Sequence, residues 1–209
     1  MDIATLTAGE RRRLVESLTD LTDAEWESPS LCAGWSVHLV LAHLTSLWQV
    51  TPATLGLALA RRRSLEGALD QCARDLARRH SGPELLYSLR AHAESRRRPP
   101  LLGPAAPLTD VIVHGADALW PLQREWRPAV PALVESLTWV VTGSTRGFVP
   151  RDRVAGLRVV ATDVGVHLGE PDGARLEGDA LSLLTLLFGR THRRDLVRGD
   201  GVEILLSRL

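Results

Sequence analysis

Neither lysine nor asparagine occurs in this 209-residue chain, so all 25 of its basic residues are arginine. Without lysine there is no Schiff-base amine, no pyridoxal-type aldimine and no phosphate-loop ammonium, and those reaction classes are excluded. Both missing residues have AT-rich codons, which points to a GC-rich bacterial genome. Cysteine is scarce: Cys32 and Cys72 lie far apart without metal-ligand spacing. In a chain with no secretory leader they are expected to be reduced thiols in a cytoplasm. No apolar run is long enough to span a bilayer, so a membrane role has no support. Net charge is also missing, since 25 basic residues balance 25 acidic ones. The basic residues gather only in short clusters (Arg11 to Arg13, Arg61 to Arg63, Arg96 to Arg98), which leaves no broad positive face for nucleic acid. Each cluster reads most simply as a solvated helix end or loop.

What is present describes an ordinary globular chain, 44% hydrophobic and long enough for one large domain with a small appendage. Up to about residue 150 the apolar spacing is helical, over Ile3 to Leu21, Val37 to Val50, Leu65 to Ala77, Glu84 to Glu94, Asp110 to Leu119 and Ala132 to Val141. Pro29, Gly34 and Ser36 break and then cap the chain ahead of the second of these helices. Ser95 to Pro107 lacks periodicity and reads as a loop leading into the Asp110 segment. Beyond Pro150 the texture changes. Gly156 to Thr162, Ala174 to Leu176 and Val202 to Leu206 are strand-like, with an apolar helix over Asp179 to Phe188. The expected organisation is therefore a helical bundle over 1–149 and a small α/β unit over 150–209.

Three metal-ligating side chains stand where helices can unite them. Asp110 and His114 are four residues apart and share one helix face, and His43 lies on an earlier helix. Two ligands at that spacing with a third from elsewhere make a facial site with open positions. Each residue has a plainer reading as well. His43 fits a satisfied core histidine, Asp110 after Thr109 fits a helix cap, and His114 fits a surface histidine. Asp117 could orient His114 as a hydrogen-bond acceptor or stand as a solvated charge. His38 is turned about 140° from His43 on a helix, so it is left out. His80, His92, His167 and His192 lie in polar or loop surroundings. Cys32 reads as a small buried residue and not a nucleophile. Trp35, Trp48 and Trp120 flank the candidate ligands and fit pocket walls or plain core. Arg190, after the last apolar helix, could grip a substrate carboxylate or compensate the helix dipole.

The runs LTDAEWESPSLCAGWSVHLVLAHL, PLTDVIVHGADALWPL, GLRVVATD and GDGVEILL together resemble the mycothiol-dependent maleylpyruvate isomerase family of the DinB-like superfamily. The resemblance covers most of the chain and is strongest in GW followed by AHL. It implies a mainly α fold: a DinB-like four-helix bundle with a metal site, then a small α/β C-terminal domain resembling sterol carrier proteins. It also implies a divalent metal, zinc by the ligand types, held by His43, Asp110 and His114, with mycothiol as thiol cosubstrate. The family pattern has Glu where this chain has Asp110, a difference of roughly 1.5 Å in reach. The implied activity is isomerisation or S-transfer on a small electrophile, in an actinobacterial cytoplasm, with a homodimer as the assembly DinB-like bundles often form. A non-catalytic DinB-like metal- or ligand-binding protein and a metal-dependent hydrolase are the alternatives.

Overall fold

A computed structural model describes residues 2–99, 102–145 and 148–209. Helix α1 (Ile3–Leu18) is followed by the short α2 (Asp23–Trp26), α3 (Val37–Gln49), α4 (Pro52–Arg62), α5 (Leu65–Ala77), α6 (Gly82–Ala91), α7 (Ala105–Leu119) and α8 (Val130–Thr142). The helix starts are chemically specified. Thr22 and Glu25 form a capping box for α2, and Ser36, Thr51 and Ser64 each accept a hydrogen bond from a first-turn N–H of α3, α4 and α5. Helix α7 lies at the centre and packs on α1, α3 and α8, while α6 fills the angle between α1 and α3. Fully buried Leu14, Leu41, Leu89, Leu108, Ile112 and Leu137 lock these helices together. Burying each such side chain contributes about 1.5–3 kcal/mol relative to exposure.

The remainder comprises a single turn, α9 (Arg151–Val154), a three-stranded sheet of β1 (Leu157–Ala161), β2 (Val166–Gly169) and β3 (Ala174–Gly178), then α10 (Ala180–Leu187), a 3₁₀ turn over Thr191–Leu196 and α11 (Gly201–Leu206). The strand order is β2-β1-β3, with β1 antiparallel to β2 and parallel to β3. Helix α10 is buried along its whole length and packs against α8 and α7. One hydrophobic cluster runs from Leu6 through the bundle to Leu205, so the sheet is tied to the bundle by shared core. No helix among the described residues is long and apolar enough to cross a membrane.

Four elements differ from the sequence expectation. The strand-like run Val202 to Leu206 is helical, as α11. Five apolar-rich residues carry too little periodicity to separate the two, and the burial of Gly201 and Leu205, four apart, is a helical pattern. Helix α4 was invisible because it buries only Ala58 and leaves Leu57 and Leu59 exposed. Strand β2 alternates half-buried Val166 and Leu168 with exposed His167 and Gly169, but four residues are too few for that alternation to stand out in the sequence. The loop before α7 ends earlier than Pro107, because α7 already starts at Ala105; Pro107 sits in its first turn, where the missing N–H costs nothing. Residues 100 and 101 of that loop lie outside the described residues.

Candidate metal centre

The middle of α7 carries the site. Asp110 stands five residues inside the helix, which removes the capping role, and places its carboxylate directly over His114 one turn later. Helix α3 packs against α7 and presents His43 to the same spot. The His114 Nε2 atom is 3.5 Å from Asp110 Oδ1 and His43 Nε2 is 3.7 Å from it. The two imidazoles meet edge to face, with centroids 4.9 Å apart. The three candidate ligands expected from the sequence are thus brought together, with their donor atoms within 4.8 Å of one another.

These separations fit a cation and not direct pairing. Both exceed a hydrogen bond, yet a tetrahedral ion with bonds near 2.1 Å needs ligand atoms about 3.4 Å apart. Two imidazole nitrogens and one carboxylate oxygen are the donor set that zinc takes in open sites. Asp110, with its shorter side chain, lies on a regular stretch of α7 with one carboxylate oxygen 3.5 and 3.7 Å from the two imidazole nitrogens.

The ring of His114 is fixed from behind. Its Nδ1 donates to Asp117 Oδ2 at 2.9 Å, so the proton stays on Nδ1 and the Nε2 lone pair is left for a ligand role. Asp117 is fully buried and is itself held by Arg190, whose Nε donates to Oδ1 at 3.0 Å and Nη2 to Oδ2 at 2.9 Å. Arg190 Nη1 donates to the carbonyl of Phe188 at the end of α10. All three guanidinium nitrogens are engaged, and a substrate carboxylate could reach Arg190 only in competition with Asp117.

Burial alone would push the Asp117 carboxyl up, but the hydrogen bonds from His114 and Arg190 and their charges hold it well below the ordinary range. Burial likewise opposes charge on His114, and the bonds to Asp117 and Cys32 with the charges of Asp110 and Asp117 overcome it, pushing the metal-free imidazole up to about 10. Asp110 is also held below its usual value: burial would raise it, and the imidazoles of His43 and His114 and the guanidinium of Arg11 more than offset that. A site that attracts protons this strongly in the absence of metal is one whose negative charge a cation would neutralise.

Three residues here take roles other than, or finer than, their sequence readings: Cys32, read as a small buried residue, is half-buried against Asp117; Trp35, read as pocket wall or plain core, is a wall; and Arg11, read as part of a solvated cluster, is buried. Cys32 donates its thiol to Asp117 Oδ2 at 3.0 Å, and its sulfur lies 3.2 Å from Arg190 Nη2. It is held there because the Leu31 N–H bonds the Asp117 carbonyl and the turn closes through Ser30 to Trp35, with Gly34 at φ 75°. Trp35 roofs the site, its ring 5.3 Å from that of His43 and stacked 6.2 Å from that of His114, while its Nε1 is fixed by Asp70 on α5. The third is Arg11 of α1, buried beside Asp110. His38 is turned away, its Nε2 2.8 Å from the His80 carbonyl.

Together these elements define a helical bundle that carries a facial His–Asp–His site beside its centre, backed by a carboxylate–arginine pair. The chain belongs to the family of the mycothiol maleylpyruvate isomerase N-terminal domain, whose model matches residues 7–126. Its fold is similar to crystal structures of the mycothiol-dependent maleylpyruvate isomerase and of a histidine-to-alanine mutant of that enzyme. Each aligns with a TM-score of 0.51 at 16% identity, over 95% of this chain and 91% of the other. No curated protein sequence matches the chain.

Proposed function

We propose that this protein is a metal-dependent, mycothiol-using isomerase or S-transferase acting on a small electrophilic molecule. The observation that carries this reading is the convergence of His43 and His114 on one Asp110 oxygen, at 3.7 and 3.5 Å, in a chain of this family. A divalent ion such as zinc, held by those three residues, would supply the positive charge that makes a nearby thiol acidic at neutral pH. The protein's own groups do the positioning. Asp117 keeps the His114 proton on Nδ1, Arg190 anchors Asp117, and Trp35 covers the two imidazoles and shields that side from water. The two free cysteines, Cys32 and Cys72, support a reducing, cytoplasmic setting.

In this chemistry the thiolate electron pair forms a C–S bond to one carbon of a polarised double bond, and the π electrons move to the conjugated carbonyl oxygen. The former double bond rotates. Return of the electrons re-forms it and expels the thiolate, giving the trans isomer with no net change of atoms. If the enolate carbon takes a proton first, the sulfur stays attached and the outcome is S-transfer.

The test is metal analysis of the purified protein joined to a thiol-dependent assay with a cis-configured enone acid. The expected result is about one zinc per chain and turnover only with mycothiol, both lost in His43→Ala and His114→Ala. Turnover that proceeds without thiol, or folded protein that takes up no zinc, would overturn the proposal.

A further inference from the structure

Arg11 is an uncommon residue for its position. It lies on the inner side of α1 at 3% exposure, where a guanidinium needs partners for all five N–H groups. Its Nη1 has them: carbonyls of His92, Ala93 and Ser95 at 3.4, 3.1 and 2.8 Å, in the turn that follows α6. Nε and Nη2 make no hydrogen bond among the described residues. The guanidinium also lies 4.9 Å over the Trp48 ring, and burial brings its pKa down to about 10 even though the Asp110 charge favours protonation. It is therefore a cation at neutral pH with donors to spare.

Those donors belong to a built cleft. Arg11, Leu44, Trp48, Leu89, Pro107 and Asp110 line a space of about 20 Å³ where α1, α3, α6 and α7 meet. A water-sized group needs about 10–15 Å³, so this holds one small polar group. Trp48 adds an independent sign, because its buried Nε1 has no hydrogen-bond partner among the described residues. A buried indole N–H without an acceptor costs roughly 1–3 kcal/mol, and the Trp48 side chain lines the same cleft as the under-used guanidinium. The guanidinium lines a cleft walled by leucine, proline and Trp48, and a compact anionic acceptor is the partner it lacks; the Asp110 carboxylate lines the same cleft and opposes such an anion until a cation neutralises it. Asp110 makes the cleft continuous with the metal centre.

We propose that this cleft is a carboxylate subsite, with Arg11 as the charged anchor and Trp48 as its wall, which fixes one end of a carboxylate-bearing substrate beside the metal centre. This rests on the reading of Asp110 as part of that centre, and it moves anion recognition to Arg11, whose Nε and Nη2 make no hydrogen bond among the described residues, whereas Arg190 is engaged by Asp117.

The test uses ¹⁵N-labelled full-length protein titrated with propionate, and with propionamide as the neutral isostere, in metal-free and zinc-loaded samples. The reporter is the Trp48 Nε1–H resonance, assigned by its loss in Trp48→Phe. The expected result is a saturable downfield shift with propionate in both samples, tighter with zinc because Asp110 is then neutralised, and none with propionamide. Arg11→Met is expected to weaken propionate by about tenfold to a hundredfold. No shift in the wild type, an equal shift with propionamide, or a shift seen only with zinc and retained in Arg11→Met would overturn the proposal. If Arg11→Met does not fold, the wild-type pair of titrations still decides. If the protein takes up no zinc, the metal-centre reading fails while the metal-free titration reports on the cleft alone.

Discussion

His114 and Asp117, three residues apart on α7, are joined by a 2.9 Å hydrogen bond from Nδ1 to Oδ2, and this bond decides which imidazole nitrogen faces Asp110. That same carboxylate oxygen also receives the Cys32 thiol and Arg190 Nη2. The carboxylate accepts four hydrogen bonds, three on Oδ2 and one from Arg190 Nε on Oδ1, whereas an amide has one acceptor oxygen and must set its NH2 against donors at the other position. Asp117→Asn is therefore expected to weaken zinc binding by about 10–100-fold in competition with a chelator. Unchanged affinity would show that His114 does not depend on Asp117 for its orientation.

Removing Arg190 leaves the Asp117 charge buried without its main counter-ion. Arg190→Met is expected to cost about 3–5 kcal/mol in denaturant unfolding. Replacing Asp117 by Leu in the same chain should recover part of that loss, because the uncompensated charge disappears with it. A double variant less stable than the single one would contradict this account.

Among the described residues, two groups of potential metal ligands share His114: one with His43 and Asp110, the other with Cys32 and Asp117. The second already holds a cation, the Arg190 guanidinium, which touches both Asp117 oxygens and lies 3.2 Å from the Cys32 sulfur. Cys32→Ser should keep the metal stoichiometry, and His43→Ala should lose it. Cobalt-loaded protein should show no sulfur-to-cobalt charge-transfer absorption until a thiol is added. Such a band in the thiol-free protein would place Cys32 on the metal.

Gly115, next to His114, has no room for a side chain: a Cβ there would meet the Trp126 ring at 2.5 Å. Trp126 cannot yield, being 5% exposed and bonded through Nε1 to the Ile112 carbonyl at 2.9 Å. Gly115→Ala is expected to destabilise by about 1–3 kcal/mol despite the better helix propensity of alanine. Thermal melts with Trp126 fluorescence would read it, and a rise in melting temperature would refute the clash.

Glu25 closes the capping box of α2 by accepting from the Thr22 backbone and hydroxyl, and it also pairs with Arg124. The Thr22 backbone bond, then the Thr22 hydroxyl and Arg124, bring its pKa down to about 2. A folded value below the unfolded one means that the stabilisation is complete above the ordinary glutamate range and fades as pH falls toward about 2. Glu25→Ala should therefore lower the melting temperature at neutral pH, and the gap from wild type should close on acidification through that window. A gap that stayed constant with pH would show that the charge is not involved.

Much of the bundle was legible before any coordinates. The helix over Leu65 to Ala77 emerges with the boundaries its spacing suggests, and α3 starts where Ser36 can cap it. Periodicity failed where packing is one-sided or the run is short, as in α4, β2 and α11. At the site, the shared face of Asp110 and His114 follows from their spacing alone. That His43 meets them, and that Cys32 and Arg190 close on Asp117 across 85 and 73 positions of chain, does not.

Local chemistry written in the chain therefore determined which segments are helical, where most of them begin, and which residue types can bind a metal. Tertiary packing decided which of those side chains share a point in space, because hydrogen bonds and metal bonds depend on distances of a few tenths of an ångström. Such distances are set by how α1, α3 and α7 interlock and by how α10 delivers Arg190, and no periodicity in one dimension encodes them.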